Sequence, residues 1–275
     1  MKWTTCGRIL VVFVTISVHG LGIDASADNL YRFRPGIHIS NERPVSTTQR
    51  ADLVNGLRNW TGLTELGFNP DGDLVLGDRT KVTCGSETAR ALIIKAADSS
   101  DSFLIGQYSN SSSIAFAQVE DTDRYIDGAG NKHLVWELRL DFADFAELDG
   151  DKEVLASFDP VASLVHELSH AVKGYFDSVG RDDQLGECEA YVNVMRVELG
   201  LPKRVHYFPL QRRTTKPDGL TFVQGELGFV AERSQRHLTK EVVLTFDVER
   251  VFDLSRAKSR SEVEASLGEL RRAFR

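Results

Sequence analysis

Between residues 134 and 142 the chain alternates strictly, with Leu134, Trp136, Leu138, Leu140 and Phe142 on one side and Val135, Glu137, Arg139 and Asp141 on the other. A period of two predicts a strand with one face toward a core. Such a strand serves either as a sheet edge along which an extended peptide adds, or as an interior strand with no substrate role. Beyond Asp159 the spacing becomes helical. Leu164, Leu168, Ala171 and Tyr175 form a stripe, Asp159 and Pro160 read as N-cap and first helical residue, and Gly174 and Gly180 weaken or end the helix. A second helix, Gln184 to Leu199, carries Leu185, Cys188, Val192, Met195 and Leu199 at three- and four-residue steps, and Gly200 and Pro202 punctuate its end. Further strands are expected at Ile114–Val119 and Val242–Val248, and a helix over Glu87–Ala97. A last helix opens with Ser261 and Glu264 as a capping box and continues through Val263, Leu267, Leu270 and Phe274. The arginines Arg271, Arg272 and Arg275 near its end are accounted for by the helix dipole. Asp98–Asp101 and Ser109–Ser113 read as loops, and there are no repeats. Mixed helices and strands of this kind predict an α+β fold with a small sheet.

The polar positions of the Asp159 helix carry the chemistry. His166 and His170 are four apart, so on a helix both imidazoles reach one ion at about 2.0–2.1 Å. Glu167 lies beside them, placed to hydrogen-bond the water that a metal activates. A hydrolytic zinc site needs a third protein ligand and an open fourth position. On the following helix Glu189 lies next to the apolar stripe, at the edge of the buried face, and is the leading third ligand. Glu187, on another face of that helix, competes with it. Asn193, one turn on from Glu189, is placed to hold a histidine's outer nitrogen. His38, His133 and His237 have no ligand-spaced partner and read as surface or core histidines.

The run His166-Glu167-Leu168-Ser169-His170-Ala171, followed by Asn193 through Tyr207, resembles the zinc metalloprotease effectors that pathogenic bacteria deliver into host cells. More remotely it is similar to clostridial neurotoxin light chains. The resemblance implies a zincin-like domain in which a histidine-bearing active-site helix is followed by a glutamate-bearing helix. It also implies that Arg204 and Tyr207, three apart, match a pair that supports the transition state, and that Glu189 matches the ligand glutamate by its order along the chain. A donor about 3 Å from the developing oxyanion stabilises the transition state more than the ground state. Arg196 and His206 are weaker alternatives for that role.

Composition bounds the rest. At 275 residues, 41% hydrophobic and 27% charged, the chain is long enough to bury a substantial core. Residues 1–27 differ in character: Lys2 and Arg8 precede an apolar run from Ile9 to Val18, and Ala25-Ser26-Ala27 supplies a small-x-small cleavage pattern. They read as a signal peptide, giving a secreted or periplasmic protein. Residues 28–275 then form one metalloprotease-like domain with its catalytic core at about 130–210. The apolar run is too short to span a bilayer, so no stable membrane insertion is expected after the leader is removed. The net charge of −7 argues against nucleic acid as a partner, because neutralising phosphates needs a concentrated basic surface. Cys6 leaves with the leader. Cys84 and Cys188 remain, either as a disulfide or as two buried thiols. Asn59-Trp60-Thr61 and Asn110-Ser111-Ser112 fit the glycosylation pattern. The expectation is a secreted Zn²⁺ endopeptidase acting on a protein or peptide. The alternatives are a non-catalytic binding protein that keeps the fold, or a zinc amidase acting on a small or cell-wall peptide.

Overall fold

The computed structural model describes residues 33–108, 114–178, 185–215, 221–233 and 238–247. The expected leader, the terminal helix from Ser261, the Asn110 sequon and His237 lie outside the described residues. The chain begins with strand β1 (Gly36–Ile39), helix α1 (Thr47–Thr61) and a short hairpin of β2 (Gly67–Phe68) and β3 (Leu74–Val75). Helix α2 (Glu87–Ala97), strands β4 (Ser102–Gln107), β5 (Ala117–Ile126) and β6 (Lys132–Leu140), and short helices α3 (Phe142–Ala146) and α4 (Lys152–Leu155) follow. Then come α5 (Pro160–Lys173), α6 (Gly186–Glu198), β7 (Lys203–Arg204), β8 (Leu210–Thr215), β9 (Thr221–Arg233) and β10 (Leu238–Asp247). The fold is α+β. No helix of the described residues is long and apolar enough to cross a membrane.

The main sheet runs β1-β4-β6-β5, with β1, β4 and β6 parallel and β5 antiparallel to β6. The alternating strand is therefore interior, and β5 is the edge beside it. Position explains the burial of β6: Leu138 and Leu140 face the helices, while Glu137 on the opposite side is also buried, held by Arg43 at 3.0 Å and by Arg139. Asp141 ends the strand by capping α3 through the amides of Ala143 and Asp144, so Phe142 belongs to a helix. Ile114 and Phe116, read from the sequence as strand, precede β5 and pack elsewhere.

Among the described residues, two hydrophobic clusters hold the fold. The larger is aliphatic and lies between the main sheet and helices α1, α2, α5 and α6, with Leu53, Leu57, Leu92, Ile93, Ile105, Leu138, Leu164 and Leu168 at its centre. The smaller is aromatic: Phe116, Phe158, Phe229 and Phe246 with Val154, Leu227 and Leu244, beneath β9 and β10. Phe116 makes edge-on contacts with Phe158 at 5.0 Å and Phe246 at 5.3 Å, a favoured ring geometry. Gly225 on β9 faces the ring of Phe246 so closely that any Cβ would collide with it. Helices α5 and α6, with residues 174–178 and 203–207, carry the site.

Candidate metal centre

Helix α5 is specified at both ends. The Asp159 side chain accepts the Ala162 amide at 2.7 Å, a cap of about 1 kcal/mol, and Pro160 occupies the first turn, where its missing donor costs nothing. At the other end Gly174 takes a left-handed conformation, φ 67°, and its amide returns to the carbonyl of His170. Every residue from Val161 to Ser169 is buried, so the histidine face is enclosed as well as the apolar stripe. After Gly174 the chain reverses, and Asp177 pairs with Gly186 at the start of α6. Gly186, φ 73°, is needed for this approach, because a Cβ there would stand 2.4 Å from the Ser178 amide nitrogen. Glu187 fastens the same loop: its carboxylate accepts the Phe176 amide at 3.1 Å, and its own amide donates to the Phe176 carbonyl at 2.8 Å.

The reversal brings Asp177 against both histidines. His166 Nε2 lies 3.0 Å from Asp177 Oδ1, and His170 Nε2 lies 3.2 Å from Oδ2. Two ligands on a tetrahedral ion at 2.0–2.1 Å are themselves about 3.3 Å apart, so each of these two nitrogen-to-oxygen separations is close to an edge of a coordination tetrahedron. His166, His170, Asp177 and Cys188 form a group that could hold a metal ion. Cys188, fully buried, lies 3.2 Å from Nδ1 of His170, behind that ring. Tyr207 completes the front of the cluster, donating from its hydroxyl to Asp177 Oδ2 at 2.5 Å, with its ring stacked 6.0 Å from that of His166.

No family model, no curated protein and no solved structure gives a significant match to the chain. What the cluster does must be read from its own geometry.

The outer nitrogens are tied off. His170 Nδ1 donates to the Tyr175 carbonyl at 2.8 Å, and His166 Nδ1 lies 3.3 Å from Glu189 Oε2. Glu189 is almost completely buried between two arginines, with Oε1 on Arg196 and Oε2 3.1 Å from Arg204 Nη1. Arg196 also donates to the Ser157 carbonyl at 2.8 Å and to Asn193 Oδ1 at 2.9 Å. Arg204 donates to the carbonyls of His206 and Tyr207, and its guanidinium lies 5.1 Å over the ring of Phe158. Asn193 spans this network, donating to the Arg204 carbonyl and accepting its amide.

The charges are strongly coupled. Burial disfavours a charged imidazole, yet the carboxylates of Asp177 and Glu189 beside His166 push its pKa up to about 10. For His170 burial is likewise overcome by Asp177, helped by Cys188 and Glu167, and the pKa rises to about 11. Asp177 is held below the usual carboxylate range by the two histidines against the cost of its burial, and Glu189 well below it by the two arginines against the same cost. Protons thus stand where a cation would, and a metal would have to displace them. Glu167 shifts the other way. Its burial raises its pKa, opposed by His166 and His170, which makes it a stronger base than an ordinary glutamate.

Set against the sequence, the structure brings His166, His170 and Tyr207 together and adds Asp177, a residue that sequence reasoning passed over. Glu189, expected as third ligand, is engaged by Arg196, Arg204 and the outer nitrogen of His166, so both its oxygens are occupied behind the ring. Glu187, its competitor, supports the Asp177 loop. Asn193, expected on a histidine, holds the backbone of Arg204 because Glu189 already fills that place. Arg204, expected as an oxyanion donor, spends Nη1, Nη2 and Nε on Glu189 and two carbonyls. Of the two alternatives for the cysteines, a disulfide or two buried thiols, the structure shows free thiols, with Cys188 buried against His170 and Cys84 exposed. His38 and His133 pair with Asp73 and Asp127 away from the cluster. Asp177 had one legible signal, being the first acidic residue after the glycine that stops the helix.

Proposed function

We propose that the chain is a zinc-dependent endopeptidase of zincin-like kind, with His166, His170 and Asp177 as its metal ligands. One observation carries this reading: both Nε2 atoms converge on the Asp177 carboxylate at ligand-to-ligand spacing, while both Nδ1 atoms are turned to other partners. Two imidazoles and one carboxylate are a borderline-soft N and O donor set that suits zinc and leaves a fourth position open. An ion bound there would supply Lewis acidity toward a carbonyl and a water of lowered pKa. Glu167, buried and made more basic by that burial, accepts a proton from the attacking water and returns it to the leaving amine. The Tyr207 hydroxyl donates its one proton to Asp177 Oδ2, and it would serve the developing oxyanion by turning that donor from the carboxylate to the substrate oxygen. Arg204 supports that tyrosine through its carbonyl. The leader-like residues 1–27 support export, and a protein or peptide substrate follows from the resemblance to metalloprotease effectors.

Cys188 favours a second reading. Were its thiolate to ligate as well, four protein donors would close the site, the pattern of structural zinc and of a protein that binds without cutting. Metal analysis and cleavage of an unstructured protein such as casein test both. Glu167→Gln should retain one zinc and lose activity by about 100-fold to 10,000-fold. Cys188→Ala should retain both metal and activity. Loss of zinc in Cys188→Ala, or no cleavage by the wild-type protein over a broad substrate panel, would replace the catalytic reading with the structural one.

A further inference from the structure

The geometry points to Glu189 as the positioning residue of this centre, an acceptor that holds the Nδ1 proton of His166 and so commits Nε2 to the ion, with Arg196 and Arg204 holding the acceptor in turn. The inference rests on the metal reading above. A neutral imidazole exists as two tautomers, and in each only the unprotonated nitrogen has a lone pair to give. Both ring nitrogens of His166 face a carboxylate, and with a cation between Nε2 and Asp177 the one 3.3 Å behind Nδ1 holds the remaining proton there and leaves the lone pair on Nε2.

The arginines do two things. They keep Glu189 from becoming a ligand, because moving either oxygen toward the ion would strip a buried guanidinium of its only carboxylate partner within this network. They also draw electron density from the carboxylate, so it accepts a hydrogen bond from the ring without taking the proton. Both guanidinium groups are fixed independently of Glu189. Arg196 is tied to the Ser157 carbonyl and Asn193 and lies 5.8 Å from the ring of Phe229, while Arg204 is tied to two carbonyls and lies over Phe158. The aromatic cluster thereby sets the position of the arginines, the arginines set the carboxylate, and the carboxylate sets the ring.

Glu189→Gln tests this, since the amide keeps an acceptor for Nδ1 but only by turning its NH₂ toward a guanidinium. Zinc affinity is measured by competition with a chromophoric chelator, coordination by the cobalt(II) visible spectrum, and ring protonation by ¹H–¹⁵N NMR of the histidines. The expected result is one zinc retained, an affinity about 10–100-fold weaker, an unchanged four-coordinate cobalt spectrum, and an upfield shift of the His166 Nδ1 proton. A variant that takes up no metal, or whose cobalt spectrum loses a ligand, would make Glu189 a ligand and overturn the proposal. Unchanged affinity with a lowered Tm would make it merely structural and also overturn it. Should the variant fail to fold, the zinc-loaded wild-type protein decides: a protected, downfield Nδ1 proton on His166 supports the proposal, and a proton on Nε2 refutes it. A wild-type protein that binds no zinc defeats the metal reading itself, an outcome seen before any variant is made.

Discussion

The two histidines of α5 face the same carboxylate but lean on unlike supports. Behind His170 stand a backbone carbonyl only five residues away, at Tyr175, and a buried thiol. Behind His166 stands a charged network assembled from α6, β7 and the segment before α5, with three full charges out of contact with water. A neutral local support costs little to form and little to lose. A buried ionic support costs several kcal/mol of desolvation per ion and is worth having only when complete, because removing one member strands the others. One helix therefore holds a tolerant histidine and a fragile one.

Asp177→Ala should have the largest effect, since it removes the one group both rings share. Zinc affinity should fall by more than about 100-fold, beyond what a supporting residue accounts for. Competition with a chelator measures it, and a smaller loss would mean that another donor takes the third position. Glu189→Ala comes next. It leaves Arg196 and Arg204 buried without a carboxylate, so urea unfolding should show a loss of about 3–5 kcal/mol. Cys188→Ala, on the other side of the comparison, should cost only about 1 kcal/mol, for one buried atom next to His170. Equal losses in the two variants would erase the contrast between the supports.

The smallest effect is one of pH on the metal-free protein. Both histidine pKa values are raised, from an ordinary 6.5 to about 10 and about 11. The stabilisation they contribute is fully present below pH 6.5 and is lost as pH rises through about 10 and 11. Thermal unfolding in EDTA should thus show Tm falling across that window. The rise in Tm caused by added zinc should grow across the same window, because fewer protons need to be displaced. Asp177→Asn should flatten the metal-free slope. A wild-type curve already flat between pH 6.5 and 10.5 would show that the imidazoles are not protonated against Asp177.

Much of this was legible where the pattern is local. Helix α2 spans the same residues, Glu87–Ala97, that the sequence predicts, and α5 starts and stops at its expected cap and glycine. Strand β10 overlaps the expected Val242–Val248 run. The losses are of other kinds. Strand β9 was missed because Gly225 and Gly228 interrupt its alternation, the first of them to make room for Phe246. Asp177 sits in a loop, where no periodicity points to it. Glu189, Asn193 and Arg196 recur at helical spacing and are each picked out by the sequence, as ligand, ring support and oxyanion donor, yet all three are buried in one ionic network, because spacing shows the shared face and not the partner that occupies it. That partner, Arg204, lies beyond the end of the helix.

The three side chains that face one another at the front of the cluster all come from residues 166–177, so the chain has only a short loop to close before the donors meet, and closing so short a loop costs little entropy. A metal could be captured by this stretch while the distant strands are still unpaired. The ion would then act as an early clip on the C-terminal turn of α5, and the arginines would arrive later to lock an arrangement already made.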